Sequence, residues 1–296
     1  MSIYTRQNEE GLLGFLKLQR ILYSKAKKIQ YTYDIFAILV SVVFLILPNF
    51  IDSVILWNVS IFMAFFAFLI GCIINIYVSN LKDVAAGIQQ RFDIYVLGVP
   101  ISYIGLNVPD SGIVAKLGIK YKNRKVENLE NWYSDYSGFD EDRQVLFCQK
   151  ENINWDKSLR LKLFWIVIAF FVLSIAVIII LGVVSDDLHL AFCLFSWLLP
   201  YLSFGYKAIS TLHKDIKRLE TLGGELIDIV SIDVGLITDK ISQVQRLIWE
   251  HRKHCFLIPD FFYKINKKEQ QEIEDLLSKE SRENLNKLKG NDNSKK

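Results

Sequence analysis

The chain has 296 residues, 51% apolar and 13% aromatic, with 23% charged and a mean hydropathy of +0.24. That balance points to a membrane protein with a substantial water-facing part. Scarce glycine (15) and proline (5) exclude collagen-like and linker-rich chains, and a net charge of +3 implies no broad basic surface for a nucleic acid polymer.

Residues 9–30 read as an amphipathic helix. Leu12, Leu13, Leu16, Ile21 and Tyr23 share one broad face, and Lys17, Arg20, Lys27 and Lys28 mark the other. This N-terminal stretch, 1–34, is expected to lie on the membrane or on the rest of the cytoplasmic part. The alternative is a basic face turned to lipid or ligand.

Four uncharged runs follow in two pairs: Ile35–Ile51 (17 residues), Val54–Val78 (25), Leu163–Val184 (22) and Leu188–Tyr206 (19). About 20 apolar residues span a bilayer core of roughly 30 Å. The connections within each pair, 49–53 and 185–187, are too short for a domain, so residues 35–78 and 163–206 read as two transmembrane hairpins. Neither connection contains Lys or Arg. By contrast Lys25, Lys27, Lys28, Lys82, Arg91, Lys157, Arg160, Lys162, Lys207 and Lys214 flank the outer ends. Positive charge stays in the cytoplasm, which places both termini and the central segment there. The first long apolar run starts only at residue 35, which does not fit a cleavable signal peptide.

The central segment, 79–162, begins as a continuation of the second run. Leu81, Val84, Ile88, Phe92 and Tyr95 keep helical spacing, so a helix from Val54 to Leu97 would be 44 residues and about 66 Å long. Residues 98–126, with Pro100, Gly105, Pro109, Gly112 and Gly118, read as loops with short helices or strands. Residues 127–160 read as helical again, interrupted near Ser137-Gly138.

The region 207–263 opens with a polar helix over 207–222. Val230, Val234, Ile237, Ile241, Val244 and Ile248 then form a seam of coiled-coil type. It packs either within the chain, for example on the stalk after the second run, or against another subunit. The charged tail, 264–296, carries Ile273, Leu276, Leu277, Leu285 and Leu288 at the spacing of one more amphipathic helix, with a disordered GNDNSKK end. The expected fold class is thus an all-α membrane protein: four transmembrane helices in two hairpins with a mainly helical cytoplasmic domain.

Chemistry is sparse. Phosphate-cradling Gly-rich loops and the HExxH and GxSxG motifs are absent, so an enzyme is not supported and no cofactor is called for. His251 and His254 are three apart, but Arg252 and Lys253 between them disfavour a metal. Asp140-Glu141-Asp142 and Glu272, Glu274 and Asp275 read as solvated acids. The four cysteines have no CxxC partner, which indicates neither a disulfide framework nor a zinc site. Apart from His189 the apolar runs hold no Asp, Glu, Lys, Arg or His, which argues against a proton relay. A pore gated by dewetting, or direct disturbance of the bilayer, remains open. The cytoplasmic part mixes Arg and Lys with Gln, Asn, Trp and Tyr, which suits an anionic nucleotide, but composition alone favours an ordinary polar domain.

Gln7, Asn8, Leu12 and Leu13 followed by LQRILYSKAK (18–27) resemble the start of the SMODS- and SLOG-associated four-transmembrane effectors. IQQRFD (88–93), NWYSD (131–135), CQKENINWDKSLR (148–160), and VQRLIWEHRK with IPDFFYK (244–264) resemble that family's later blocks, in the same order; segment 98–126 matches none. The resemblance implies a CBASS-type antiphage effector. Such a protein binds a cyclic oligonucleotide made by a cytoplasmic nucleotidyltransferase, assembles as a homo-oligomer and damages the lipid bilayer of the inner membrane. Some relatives accompany SLOG-type sensors, whose ligands would be NAD-derived nucleotides. On that reading Arg91, Arg160, Arg246 and Arg252 are candidates for phosphate contact. Trp132, Trp155 and Tyr263 are candidates for base stacking, and Gln149 and Asn152 for base edges. The competing reading is a membrane scaffold that recruits a cytoplasmic partner through its seam and charged tail.

Overall fold

The computed structural model describes residues 2–51, 54–99, 109–184, 188–227, 229 and 234–293. Residues 52–53 and 185–187 of the two short connections, segment 100–108, Val230 of the seam, the side chain of Cys193 and the final residues 294–296 lie outside that description.

Among the described residues the chain is helical, in eight elements: α1 (Ile3–Arg6), α2 (Glu10–Phe50), α3 (Val54–Leu97), α4 (Ser111–Lys120), α5 (Glu141–Val184), α6 (Leu188–Gly224), α7 (Val234–His254) and α8 (Asp260–Asn293). The expected stalk is present, because α3 runs unbroken through 44 residues. The same continuity holds for α2, α5 and α6, so each apolar run is one end of a longer helix whose other end is polar.

Two helices, Asn58–Leu97 and Glu141–Val184, are long and apolar enough to cross a membrane, and their apolar windows are almost entirely unburied. Ile61, Phe62, Phe65, Phe68, Ile73, Phe170, Leu173 and Val183 all point outward. A continuous exposed apolar surface of that kind is not tolerated in water.

Helices α2 and α3 pack as one antiparallel hairpin and α5 and α6 as another. Each has a close approach at a glycine. A Cβ at Gly71 would stand 2.1 Å from the Tyr33 hydroxyl, and one at Gly205 2.1 Å from the Phe171 ring. Small residues let membrane helices approach closely without a hydrophobic driving force between them.

The main core lies beyond the spans, where Leu16, Phe92, Tyr133, Leu146, Ile153, Leu222, Ile237 and Val244 bury one another. Ile237, Ile241, Val244 and Ile248 of the seam are buried, and α7 packs on α3 and α5. The seam is therefore an intramolecular contact with the stalk.

Three expectations need correction. Residues 127–139 are not helical, and α5 starts only at Glu141, where the Asp140 carboxylate accepts from the Arg143 backbone N–H at 3.1 Å. Side chains supply the hydrogen bonds that a helix would have made. The Gln7 amide accepts from Tyr133 N (2.7 Å) and donates to Tyr133 O (3.0 Å), and Asn8 accepts from Asn131 N (2.8 Å). Asn131 itself takes φ +53°, a conformation that asparagine tolerates.

The tail helix buries the opposite face from the one its leucines suggest. Phe262, Asn266, Gln270, Glu274 and Ser278 turn inward, while Ile273, Leu276 and Leu277 are exposed. Glu274 is consequently buried rather than solvated. In segment 98–126 one short helix of the kind expected is present, α4, capped by Asp110.

Candidate functional site

A cavity of about 220 Å³ opens where the polar halves of the long helices meet. Its walls come from α2 (Gln19, Arg20, Tyr23, Lys27), the extended segment 128–132, α5 (Asn152, Trp155, Asp156, Arg160), α7 (His251, Arg252), the α7–α8 linker (255–258) and α8 (Tyr263, Lys267). Arg160 stands three residues before Leu163, the first residue of the third apolar run, so the cavity lies roughly one helical turn from the start of that run.

One wall is aromatic and cationic. The Arg20 guanidinium sits 4.0 Å over the Tyr263 ring, and Trp155 lies against Tyr263 at 6.2 Å between centroids. Arg20 also pairs with Glu127, and Lys27 pairs with Asp260 at 2.7 Å. Burial lowers the Lys27 pKa, opposed by the Asp260 charge.

The floor is a buried ionic chain. Asp156 meets His251 at 2.7 Å and Arg160 at 3.0 Å, and Arg160 continues to Asp215 at 2.9 Å. Burial opposes the Asp156 charge, but Arg160 and the His251 hydrogen bond outweigh it and hold the carboxyl well below its usual range. Burial likewise opposes the Arg160 charge, and Asp156 outweighs it. Burial keeps His251 below the ordinary histidine range despite Asp156. A neutral His251 thus donates its Nε2–H to an ionised Asp156, which leaves Nδ1 as a buried acceptor with no protein partner.

Behind Arg252 lies a second network. Its guanidinium meets the fully buried Asp93 at 2.5 Å. Tyr133 Oη donates to Asp93 at 2.7 Å, Gln245 donates to it at 3.0 Å, and Asn152 donates to Tyr133 Oη at 2.9 Å. Each buried charge therefore has an opposite charge and further hydrogen bonds, as burial requires.

Of the candidates read from the sequence, Trp132, Asn152, Trp155, Arg160, Arg252 and Tyr263 are brought together in this cavity. Gln149 lies beneath it, fully buried, donating to Ile241 O and Gln245 Oε1 at 3.0 Å each. Arg91 stands apart, donating to Ser111 Oγ at 3.4 Å, and Arg246 is exposed on the outer face of α7. Sequence reasoning missed Arg20, Tyr23 and Lys27, which read there as parts of an amphipathic helix. It also missed His251, which the four-residue basic cluster disguised. Among the described residues no group of three or more His, Cys, Asp or Glu is placed to hold a metal.

The cavity offers no activated nucleophile. What it offers is aromatic faces, guanidinium groups and amides around a small volume next to the membrane, which is the chemistry of binding a planar, anionic ligand.

The chain matches the SMODS-associating 4TM effector domain over residues 1–275. It is also similar to a probable CBASS effector molecule from Bacillus cereus (strain VD146), with 24% identity over 290 residues, covering 90% of this chain and 94% of the relative. No solved structure matches it. With a match that runs from the first residue into the first half of α8, this membrane protein belongs to the SMODS-associating 4TM effector domain family.

Proposed function

We propose that the chain is a CBASS-type antiphage effector of the bacterial inner membrane, activated when a cyclic oligonucleotide made by a cytoplasmic nucleotidyltransferase enters the cavity. The four apolar runs cross the membrane as two hairpins with both termini in the cytoplasm. On activation a homo-oligomer opens or clusters and disrupts the bilayer, ending growth of the infected cell.

The observation that carries this reading is the position of the cavity. Arg20 of its wall and Trp155 and Arg160 of its wall and floor stand on α2 and α5, which run on into apolar spans, while Tyr263 of α8 and His251 and Arg252 of α7 close the cavity against them. A ligand bound there touches α2 and α5 directly. It shifts a membrane equilibrium only if it binds the active arrangement more tightly. The rim cations are paired with Glu127 and Asp260, so phosphates compete with those carboxylates for Arg20 and Lys27.

The test is thermal stabilisation of the detergent-solubilised chain by cyclic di- and trinucleotides, cyclic mononucleotides and ADP-ribose derivatives. At 100-fold above its dissociation constant a ligand adds about 2.7 kcal/mol of stability. A responder among the cyclic oligonucleotides, followed by dye release from liposomes, supports the reading. A response to ADP-ribose derivatives alone replaces the ligand class with NAD-derived nucleotides. A folded chain that answers to none of the panel leaves the partner-recruiting scaffold as the better account.

A further inference from the structure

Between α7 and α8 the chain passes through five non-helical residues, Cys255 to Pro259. The Cys255 N–H still bonds His251 O of α7 at 2.9 Å, but the other polar groups of Cys255 to Ile258 must be satisfied from elsewhere. Here they are satisfied by every one of the four long helices. Tyr31 of α2 donates its hydroxyl to Leu257 O. Lys82 of α3 donates to Cys255 O at 2.7 Å. Arg160 of α5 donates to Phe256 O at 3.0 Å. Asp215 of α6 accepts from Phe256 N at 2.7 Å.

The side chains repeat the pattern. Leu257 packs with Ala26 and Val78, in the α2–α3 hairpin. Its neighbour Ile258 packs with Leu159, Leu163 and Leu212, in the α5–α6 hairpin. Val78 and Leu163 are the cytoplasmic ends of two apolar runs. The same four residues also form part of the cavity wall.

We infer that the Cys255–Ile258 linker is the element that couples the cavity to the two membrane hairpins, with Tyr31 and Lys82 as its positioning residues. Among the described residues it is joined by hydrogen bonds to all four long helices, and by adjacent side chains to both hairpins, while facing the cavity. A displacement of it by an occupant of the cavity cannot be absorbed by one helix alone. The ligand part of this inference rests on the function proposed above. The mechanical part does not, and the two are tested apart.

Hydrogen exchange on the full-length chain in nanodiscs, without any nucleotide, tests the mechanical part. Tyr31→Phe removes one hydroxyl from α2, and Lys82→Met removes one ammonium from α3; neither side chain lines the cavity. Coupling predicts that in Tyr31→Phe the exchange of the Phe256 amide and of the cytoplasmic turns of α5 and α6 rises together, by about tenfold, as one cooperative unit. Faster exchange confined to α2 and Leu257 overturns the inference. Tyr31→Phe is nearly isosteric and decides the matter even if Lys82→Met does not fold, and Lys82→Arg, which keeps a donor, should restore the wild-type pattern.

Dye release from phosphatidylethanolamine–phosphatidylglycerol liposomes tests the ligand part, with cyclic di-AMP, cyclic GMP-AMP and cyclic tri-AMP as probes. In both variants the responding probe should bind within about threefold of wild type while the leakage rate departs about tenfold, the separation expected when a coupling free energy alone is altered. Wild-type leakage in both variants overturns the inference while the proposed function stands. If no probe binds the wild-type chain, the nucleotide reading falls, and the exchange experiment still decides the linker's role.

Discussion

Arg160 on α5 and Asp215 on α6 meet at 2.9 Å with both side chains only 3% exposed, so a closed ion pair ties the two helices together beyond their apolar runs. Removing Asp215 leaves Arg160 with Asp156 as its remaining counter-charge and leaves the Phe256 N–H without its acceptor. Asp215→Ala should therefore destabilise the chain by about 1–3 kcal/mol, more than the loss of one exposed pair. Denaturant titration of the detergent-solubilised protein checks this, and a loss under 1 kcal/mol would mean that water already reaches Arg160.

The buried acids give a pH signature. Burial, opposed by the Ser134 backbone N–H and reinforced by Glu274, pushes the Glu151 carboxyl up to about 8 from 4.5. Burial also raises Glu274 to about 7, with Lys150 opposing and Asp275 adding to it. Between the unfolded and folded values the folded chain holds protons that the unfolded chain has released. Stability contributed by these groups is thus full below about pH 4.5 and is lost as pH rises towards 8. His251 works in the opposite sense, because its folded pKa is lowered and the unfolded chain takes up the proton near 6.5. The comparison of variants isolates the acid. Glu151→Gln, which keeps an acceptor for Ser134, should gain stability relative to wild type as pH rises from 5 to 8. Melting curves across that range that stay parallel would refute the assignment.

The cavity's aromatic wall makes a selective prediction. Tyr263→Ala and Trp155→Ala should each weaken stabilisation by a responding cyclic oligonucleotide by about 1–3 kcal/mol, the usual worth of a stacked base. Arg91→Ala and Arg246→Ala, whose side chains stand away from the cavity, should leave it unchanged. Isothermal titration of the four variants separates the outcomes, and equal losses at all four positions would place the ligand elsewhere.

Gln7 holds the extended segment from far away in sequence. Gln7→Ala leaves both the N–H and the C=O of Tyr133 without their partner in a buried place, at about 1–3 kcal/mol for each group. Because Tyr133 also orients Asp93 and Asn152, the variant should lose nucleotide affinity as well as stability. Circular dichroism melts and titration on the same preparation check the two effects, and a stability loss with intact affinity would separate the segment from the cavity.

Local physics carried much of the architecture. Uninterrupted apolar runs can only be long helices when they lack charge over about 20 residues. The stripe from Leu81 to Tyr95 made the stalk readable for the same reason, since a period of 3.6 is a property of neighbours along the chain. Trp155, Arg160, Arg252 and Tyr263 were readable as candidates because aromatic rings and guanidinium groups are costly residues to place without a use.

Other features depend on partners that periodicity cannot reach. The 127–139 segment is rich in Asn, Ser, Asp, Gly and aromatic residues, which form helices poorly, and Gln7, 126 residues before Tyr133, takes up its backbone bonds instead. The tail helix turns Asn266, Gln270 and Glu274 inward where it packs on α5, so Ile273, Leu276 and Leu277 face outward against the amphipathic expectation, while Leu285 packs on the core. Arg252 finds Asp93 across 159 residues, and the linker at 255–258 draws its four hydrogen bonds from four different helices. Hydrophobic pattern is written in adjacent residues and survives in any fold that buries or solvates it. Pairing between buried charges exists only once distant helices are brought side by side, and that is why composition revealed the spans and tertiary structure alone assembled the cavity beside them.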